Sequence, residues 1–203
     1  LAMRTQEAHL AILARPALLE LMAQAEESAH LTVLRGGEIM TVHTELAQHP
    51  ERDDSFDGIS LPALKTASGR AILAAFTPDE LAAWWEEHGE LRNSNPRPSS
   101  DSPAEARELG RIRRRPNTIN TLMRLQRVGR QVRKQGYAIS NGDLTENIVD
   151  AAAAIRNSSG IVVGAVSVGA RINRIRDGNQ ALGALVAESA HALSHRLGYP
   201  PSS

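Results

Sequence analysis

Two segments alternate as β-strands do and double back on themselves through glycine, and they constrain the fold more than anything else in the chain. His30-Leu-Thr-Val-Leu-Arg35 and Glu38-Ile-Met-Thr-Val-His43 flank Gly36-Gly37, a two-residue loop that predicts a hairpin with a turn of primed type. Asp150 to Arg156 and Ile161 to Val168 flank Asn157-Ser-Ser-Gly160 and predict a second hairpin. Hairpins build antiparallel sheets, and helical patterns lie before, between and after these two. The sequence therefore predicts an α+β fold, with helices packed around an antiparallel sheet.

The helices are read from their spacing and their ends. Leu10, Leu13, Leu18, Leu21, Met22 and Ala25 recur at helical intervals over residues 3–28, with Pro16 predicting a kink or break near Arg15. Thr77-Pro78-Asp79-Glu80 is a capping box with proline in the first turn, and the helix it opens carries Trp84 and Trp85 and stops at Gly89. Leu122, Leu125, Val128 and Val132 mark the inner face of a helix over 121–135, closed by Gly136. Tyr137 to Ser140 reads as a strand and 141–148 as a loop. The last helix covers 178–197, with Leu182, Leu185, Val186, Ser189, Leu193 and Leu197 on one face. Residues 47–58 read as an acidic loop. Residues 90–117 read as a flexible basic insertion, where Ser102-Pro-Ala-Glu105 is shaped to cap a short helix. The chain opens at Leu1 rather than at methionine, as a trimmed chain would.

Composition limits function. At 203 residues the chain suits one domain with an appendage. With aromatics at 3%, Ala, Leu, Ile and Val must fill the core. No run approaches the roughly 18 apolar residues of a membrane span, and residues 1–13 lack the pattern of a signal peptide. Cysteine is absent, which removes thiol catalysis and thiolate metal sites and fits a cytoplasmic protein. The formal charge is zero, so the chain as a whole is no polyanion binder.

Motifs for chemistry are few. There is no phosphate-binding loop, dinucleotide fingerprint or nucleophile elbow. His191 and His195 stand four apart on the last helix, and His30 and His43 bracket the first hairpin, but neither pair has the further ligands that a metal needs. No metal and no cofactor are expected. The stretch Arg107–Lys134 holds ten basic residues and one acid, Glu108, without interleaved aromatics. It reads as a solvated face, with an interaction module as the alternative. One stretch stands apart: in "LPALKTASGRAILAAF" (61–76) only small residues, Thr66-Ala67-Ser68-Gly69, begin a helix.

That stretch, the capped helix after it, "KQGYAIS" (134–140) and "SSGIVVGAVSVGA" (158–170) resemble, in this order, the effector-binding domain of IclR-type bacterial transcription regulators; "HLTVLRGGEIMTV" (30–42) resembles the family's first hairpin. The resemblance spans residues 14–198. It implies a curved antiparallel sheet flanked by helices, akin to GAF and profilin-like sensor domains, with residues 1–28 as linker and first helix and 29–199 as the effector-binding domain. It further implies a small organic acid as effector, promoter DNA as a partner through an N-terminal winged helix-turn-helix missing from this chain, and a cytoplasmic homodimer or homotetramer that represses or activates. No membrane partner is implied.

Carried onto this chain, the resemblance implies a ligand pocket formed by Leu61, Ala67, Ser68, Gly69, Ser140, Ile148, Asp150, Ser167 and Gly169. Family members often hold Cys or Ser where Asp150 stands. The free N–H groups at a helix N-terminus attract a carboxylate, small residues at 66–69 admit it, and Ser68 and Ser167 add hydroxyls. A hydroxylated aromatic acid, its carboxylate at 66–69 and its hydroxyl at Asp150, satisfies both ends. The competing function is a hydrolase using Ser68 or Ser167, for which no base is evident.

Overall fold

Glycine makes the first reversal as expected. In the computed structural model, which describes residues 2–49, 57–89, 119–175 and 178–200, Gly36 takes a φ of +58° and turns β1 (Ala29–Arg35) into β2 (Glu38–Glu45). The second hairpin joins β5 (Ile148–Arg156) to β6 (Val162–Arg171). Asn157 organises its turn by accepting, through Oδ1, the N–H groups of Ser159 and Ile161 at 3.0 Å each. The two hairpins meet where β1 pairs with β6, from Ala29↔Val168 to Thr32↔Ala165. Short strands β3 (Ser60–Pro62) and β4 (Ala138–Asn141) close the edges. The result is one six-stranded sheet in the order β3-β2-β1-β6-β5-β4, with every strand pair antiparallel. The α+β class and the curved sheet flanked by helices stand.

Helices cover both faces. On one lie α1 (Ala2–Ala25) and the last helix, here α5 (Gly178–Arg196). Ala14, Ala17, Leu18 and Leu21 of α1 and Leu182, Val186, Ala190 and Leu193 of α5 pack on Leu31, Ala153, Ile155, Val166 and Val168. Pro16 does not break α1, which runs unbroken through it. Buried residues on both sides of the proline hold the helix to the sheet, and their burial outweighs one lost backbone hydrogen bond.

On the other face lie α2 (Ala67–Leu73), α3 (Pro78–His88) and α4 (Leu122–Gln135). A single 3-10 turn (Ala63–Lys65) leads into α2. The capping box of α3 forms: Glu80 N–H donates to Thr77 Oγ1, and Thr77 N–H donates to Glu80 Oε2. Thr121 caps α4, and Gly136 ends it at a φ of +86°. Leu64, Leu73, Leu81, Trp84 and Leu125 form the core of this layer. The segment expected to be a basic insertion, 90–117, lies outside the described residues, as does most of the acidic loop at 47–58.

Candidate functional site

Strand β1 alternates, and both of its faces are buried. Ala29 and Leu31 pack in the core with α1 and α5, Val33 lies beside Leu10 and Leu13 of α1, and His30 and Thr32 lie on the α2 side. An alternating strand of this kind normally shows its polar face to water. Here the polar row is roofed instead. His30 and Thr32 on β1, Thr41 on β2 and Ser167 on β6 are all buried, and α2 brings Thr66, Ala67 and Ser68 over them. Between sheet and helix is a cavity of about 80 Å³. Leu61, Leu144, Ile148 and Ile39 supply its apolar wall, and Thr145, Asp150 and Gly169 complete the lining.

Of the residues implied by the resemblance, Leu61, Ala67, Ser68, Ile148, Asp150, Ser167 and Gly169 line this cavity. Gly69 and Ser140 do not, and each has a structural task. A Cβ on Gly69 would stand 2.1 Å from the carbonyl oxygen of Ala63, so this glycine lets α2 sit against the 3-10 turn. The Ser140 hydroxyl lies 3.2 Å from both the Lys65 carbonyl and Asp143 Oδ2. Behind it, Arg70 reaches Asp143 at 2.9 Å and also donates to the carbonyls of Leu64 and Ile139. This ion pair, buried at both ends, pins the loop carrying Leu144 and Thr145 to the root of α2.

The start of α2 is less a dipole than a set of individual donors. The helix has only seven residues. Thr66 Oγ1 accepts from Gly69 N–H at 3.0 Å, and the Thr66 carbonyl accepts from Arg70 N–H at 3.3 Å. The N–H groups of Ala67 and Ser68 are left without a partner among the described residues, and both of these residues line the cavity. The hydroxyls of Ser68 and Ser167, in residues 3% and 8% exposed, also make no hydrogen bond there.

His30 is the largest addition to the implied set. Its Nδ1 shares a hydrogen bond with Thr44 Oγ1 at 3.1 Å. Burial pushes its pKa down to about 4, so the ring is neutral near pH 7. Ser167 is its partner in the ladder, yet no hydrogen bond joins the two side chains. Neither Ser68 nor Ser167 therefore has the base that an activated nucleophile needs. Thr32, Thr41 and Thr145 are further lining residues that the resemblance does not imply. The alternation in 30–34 carried the signal, but a row of polar residues reads as a solvated face until its roof is known.

Other candidate features separate. His43 pairs with Leu31, and a register shift between Leu31 and Thr32 leaves His30 opposite Thr44, so the two histidines lie on opposite faces. His191 and His195 touch through their Nε2 atoms at 3.1 Å on the surface. No cluster of three metal-ligating side chains occurs among the described residues. On α4, Arg124, Arg127, Arg130 and Lys134 are exposed, while Arg133 donates to the Ala74 carbonyl and ties the helix to α2. A larger groove, about 950 Å³, runs beside the first half of α1, with Leu10, Leu13, Val33 and Leu197 on its apolar wall and the Arg35–Glu7 ion pair in its lining. No helix among the described residues is long and apolar enough to cross a membrane.

Residues 2–115 and 104–195 match the family described as bacterial transcriptional regulator IclR C-terminal. No curated protein matches the chain. Among solved structures, a candidate transcriptional regulator from Rhodococcus sp. RHA1 is similar at 25% identity and a TM-score of 0.74, over 93% of this chain and 68% of that one. The Agobacterium tumefaciens repressor BlcR is similar at 23% identity and 0.71, over 95% and 68%. The C-terminal domain of the E. coli transcriptional regulator KdgR is similar at 24% and 0.70, over 94% and 99%. The last three likenesses place the fold among regulator domains, and the comparisons lend no support to the expected kinship with GAF and profilin-like domains.

Proposed function

This chain belongs to the IclR C-terminal family of bacterial transcriptional regulators, and we propose that the polar cavity beneath α2 receives the small molecule that such a regulator senses. The domain is the effector-binding module of a regulator and not an enzyme. What supports this use of the cavity is its row of buried hydroxyls. Ser68 and Ser167 are almost wholly withdrawn from water and have no protein partner among the described residues. Both hydroxyls belong to residues that line the cavity, where each can donate to or accept from a polar ligand.

The effector in this reading is a small organic acid. Its carboxylate takes the N–H groups of Ala67 and Ser68 together with the Ser68 hydroxyl, a charge-assisted set. Leu61, Ile148 and Gly169 bound its carbon skeleton and Asp150 meets its far end. Size discriminates between candidates. The cavity of about 80 Å³ is roughly half of the ~150 Å³ in which an apolar protein cavity holds benzene. A short-chain acid therefore fits better than a hydroxylated aromatic acid, which needs α2 or the 141–147 loop to move outwards.

Effector binding shifts the balance between two arrangements of the regulator by its differential affinity for them. The regulator reads promoter DNA as a homodimer or homotetramer in the cytoplasm, through a segment such as the relatives carry beyond the matched part. A thermal-shift screen of short-chain and hydroxylated aromatic acids tests the cavity. Saturable stabilisation that disappears in Ser68→Trp is expected. Stabilisation that persists in Ser68→Trp would move the site elsewhere.

A further inference from the structure

We propose that Glu188, His191 and His195, on the outer face of α5, form a site for one divalent transition-metal ion of the kind that imidazole takes: zinc, nickel or copper. With 3.6 residues per turn the three positions fall within an arc of about 60°. They lie opposite the buried face carried by Leu182, Val186, Ala190 and Leu193. Both spacings are ones at which side chains of a single helix share a metal: His-x-x-x-His at 191 and 195, and Glu-x-x-His at 188 and 191. Glu188 thus supplies the further ligand that the two histidines alone lack. The site is across the sheet from the cavity beneath α2 and independent of it.

The histidines already stand at chelating distance. Their Nε2 atoms are 3.1 Å apart. Two nitrogens bound to one metal are separated by about 2.9 Å when their bonds meet at a right angle and by about 3.3 Å at the tetrahedral angle. The observed spacing lies between the two, so an ion can enter with little movement of either ring. Folding does not require this contact. His191 is exposed and His195 partly so, and water would satisfy both rings. One proton is shared where the nitrogens meet; an ion in its place takes both lone pairs, with each ring keeping its proton on Nδ1. Glu188 is exposed and makes no hydrogen bond or ion pair among the described residues. As the side chains lie, three ligands are not yet assembled, but no partner restrains the Glu188 torsions that carry its carboxylate towards His191. Water fills the remaining positions. The surrounding surface also sets these residues apart. Between Ala181 and Leu193 the other exposed side chains of α5 are Ala184 and Ala192. A face that serves solubility alone intersperses charges of both signs, whereas here the ionisable groups gather at one place.

Calorimetric titration of the whole chain, stripped of metal, with Zn²⁺ and Ni²⁺ tests this. Saturable binding of one ion per chain is expected, and Mg²⁺ and Ca²⁺, which prefer oxygen ligands, should not compete. His191→Asn, His195→Asn and Glu188→Gln are each expected to weaken binding about ten-fold or more. Because the three positions are at the surface, the variants should melt without metal at the temperature of the unaltered chain. Added Zn²⁺ should raise the melting temperature of the unaltered chain and leave those of the histidine variants nearly in place. Binding unchanged in both histidine variants would put the ion at other residues and overturn the site. Binding weakened by both histidine variants but not by Glu188→Gln would overturn the part given to the carboxylate. One ion per two chains would overturn a site complete on a single helix, and an absence of saturable binding would overturn the proposal as a whole.

Discussion

At Gly69 a hydrogen atom stands where any other residue would drive a carbon to 2.1 Å from the Ala63 carbonyl oxygen. The obstacle is backbone and cannot rotate aside. Gly69→Ala is therefore expected to destabilise the fold by about 3 kcal/mol or more, read as a lower midpoint in urea. Ser68→Ala, one residue earlier, removes a hydroxyl without a partner and is expected to leave the midpoint nearly unchanged while weakening ligand binding. Packing and ligand approach both call for small side chains at 66–69, so sequence alone could not separate the packing task of Gly69 from the ligand role proposed for Ser68. His30 allows a second prediction. Its pKa, near 6.5 when unfolded, is about 4 in the fold, so the unfolded chain binds more protons between those values and stability falls as pH drops through that window. The expected loss is about 2 kcal/mol on going from pH 7.5 to pH 5. His30→Gln should flatten that part of the profile in denaturant titrations at several pH values.

Among the elements, α2 is the one that tertiary structure has to hold in place. A seven-residue helix is too short to persist by its own propensity. Thr66 caps it and also donates to Ala63 at 3.1 Å, and Arg70 locks it to β4 and to Asp143. Removing one partner of a buried ion pair leaves the other uncompensated. Arg70→Met is accordingly expected to cost about 3–5 kcal/mol, and Arg70→Met combined with Asp143→Leu should recover much of that loss in urea titrations. The local signals that were legible share a feature: each is satisfied within a few residues, as in the Thr77–Glu80 box, the glycine turns and the Gly136 stop. The Arg70–Asp143 pair spans 73 residues, and no periodicity announces it. Pro16 misled for the same reason, since the burial of Ala14, Ala17, Leu18 and Leu21 against distant strands overrode a correct local rule.

In the whole molecule, the central sheet separates the cavity from α1, and β1 belongs to both sides. His30 and Thr32 line the cavity, while Leu31 and Val33 point to the opposite face, where Leu31 packs in the core with Leu18 and Leu21 of α1. Period-two alternation thus puts the cavity-lining residues and the α1 contacts on consecutive positions of one strand, buried on both faces. A packed strand of this kind does not deform by degrees, and an effector that draws His30 or Ser167 inwards shifts the seat of α1 with them. Among the described residues no α1 side chain lines the cavity, so a response in α1 has to travel through the sheet. Hydrogen exchange with and without saturating effector is expected to show changed protection along α1 between Leu10 and Met22, in addition to the protection of α2 and β1 that contact alone produces. The change should shrink in Leu31→Ala, where the packing between β1 and α1 is loosened, even if the effector still binds. Unchanged exchange in α1 on a domain that binds its effector tightly would mean that the signal leaves by another route, and the loop pinned by Arg70 and Asp143, which carries Leu144 and Thr145 into the cavity wall, would then be the element to follow.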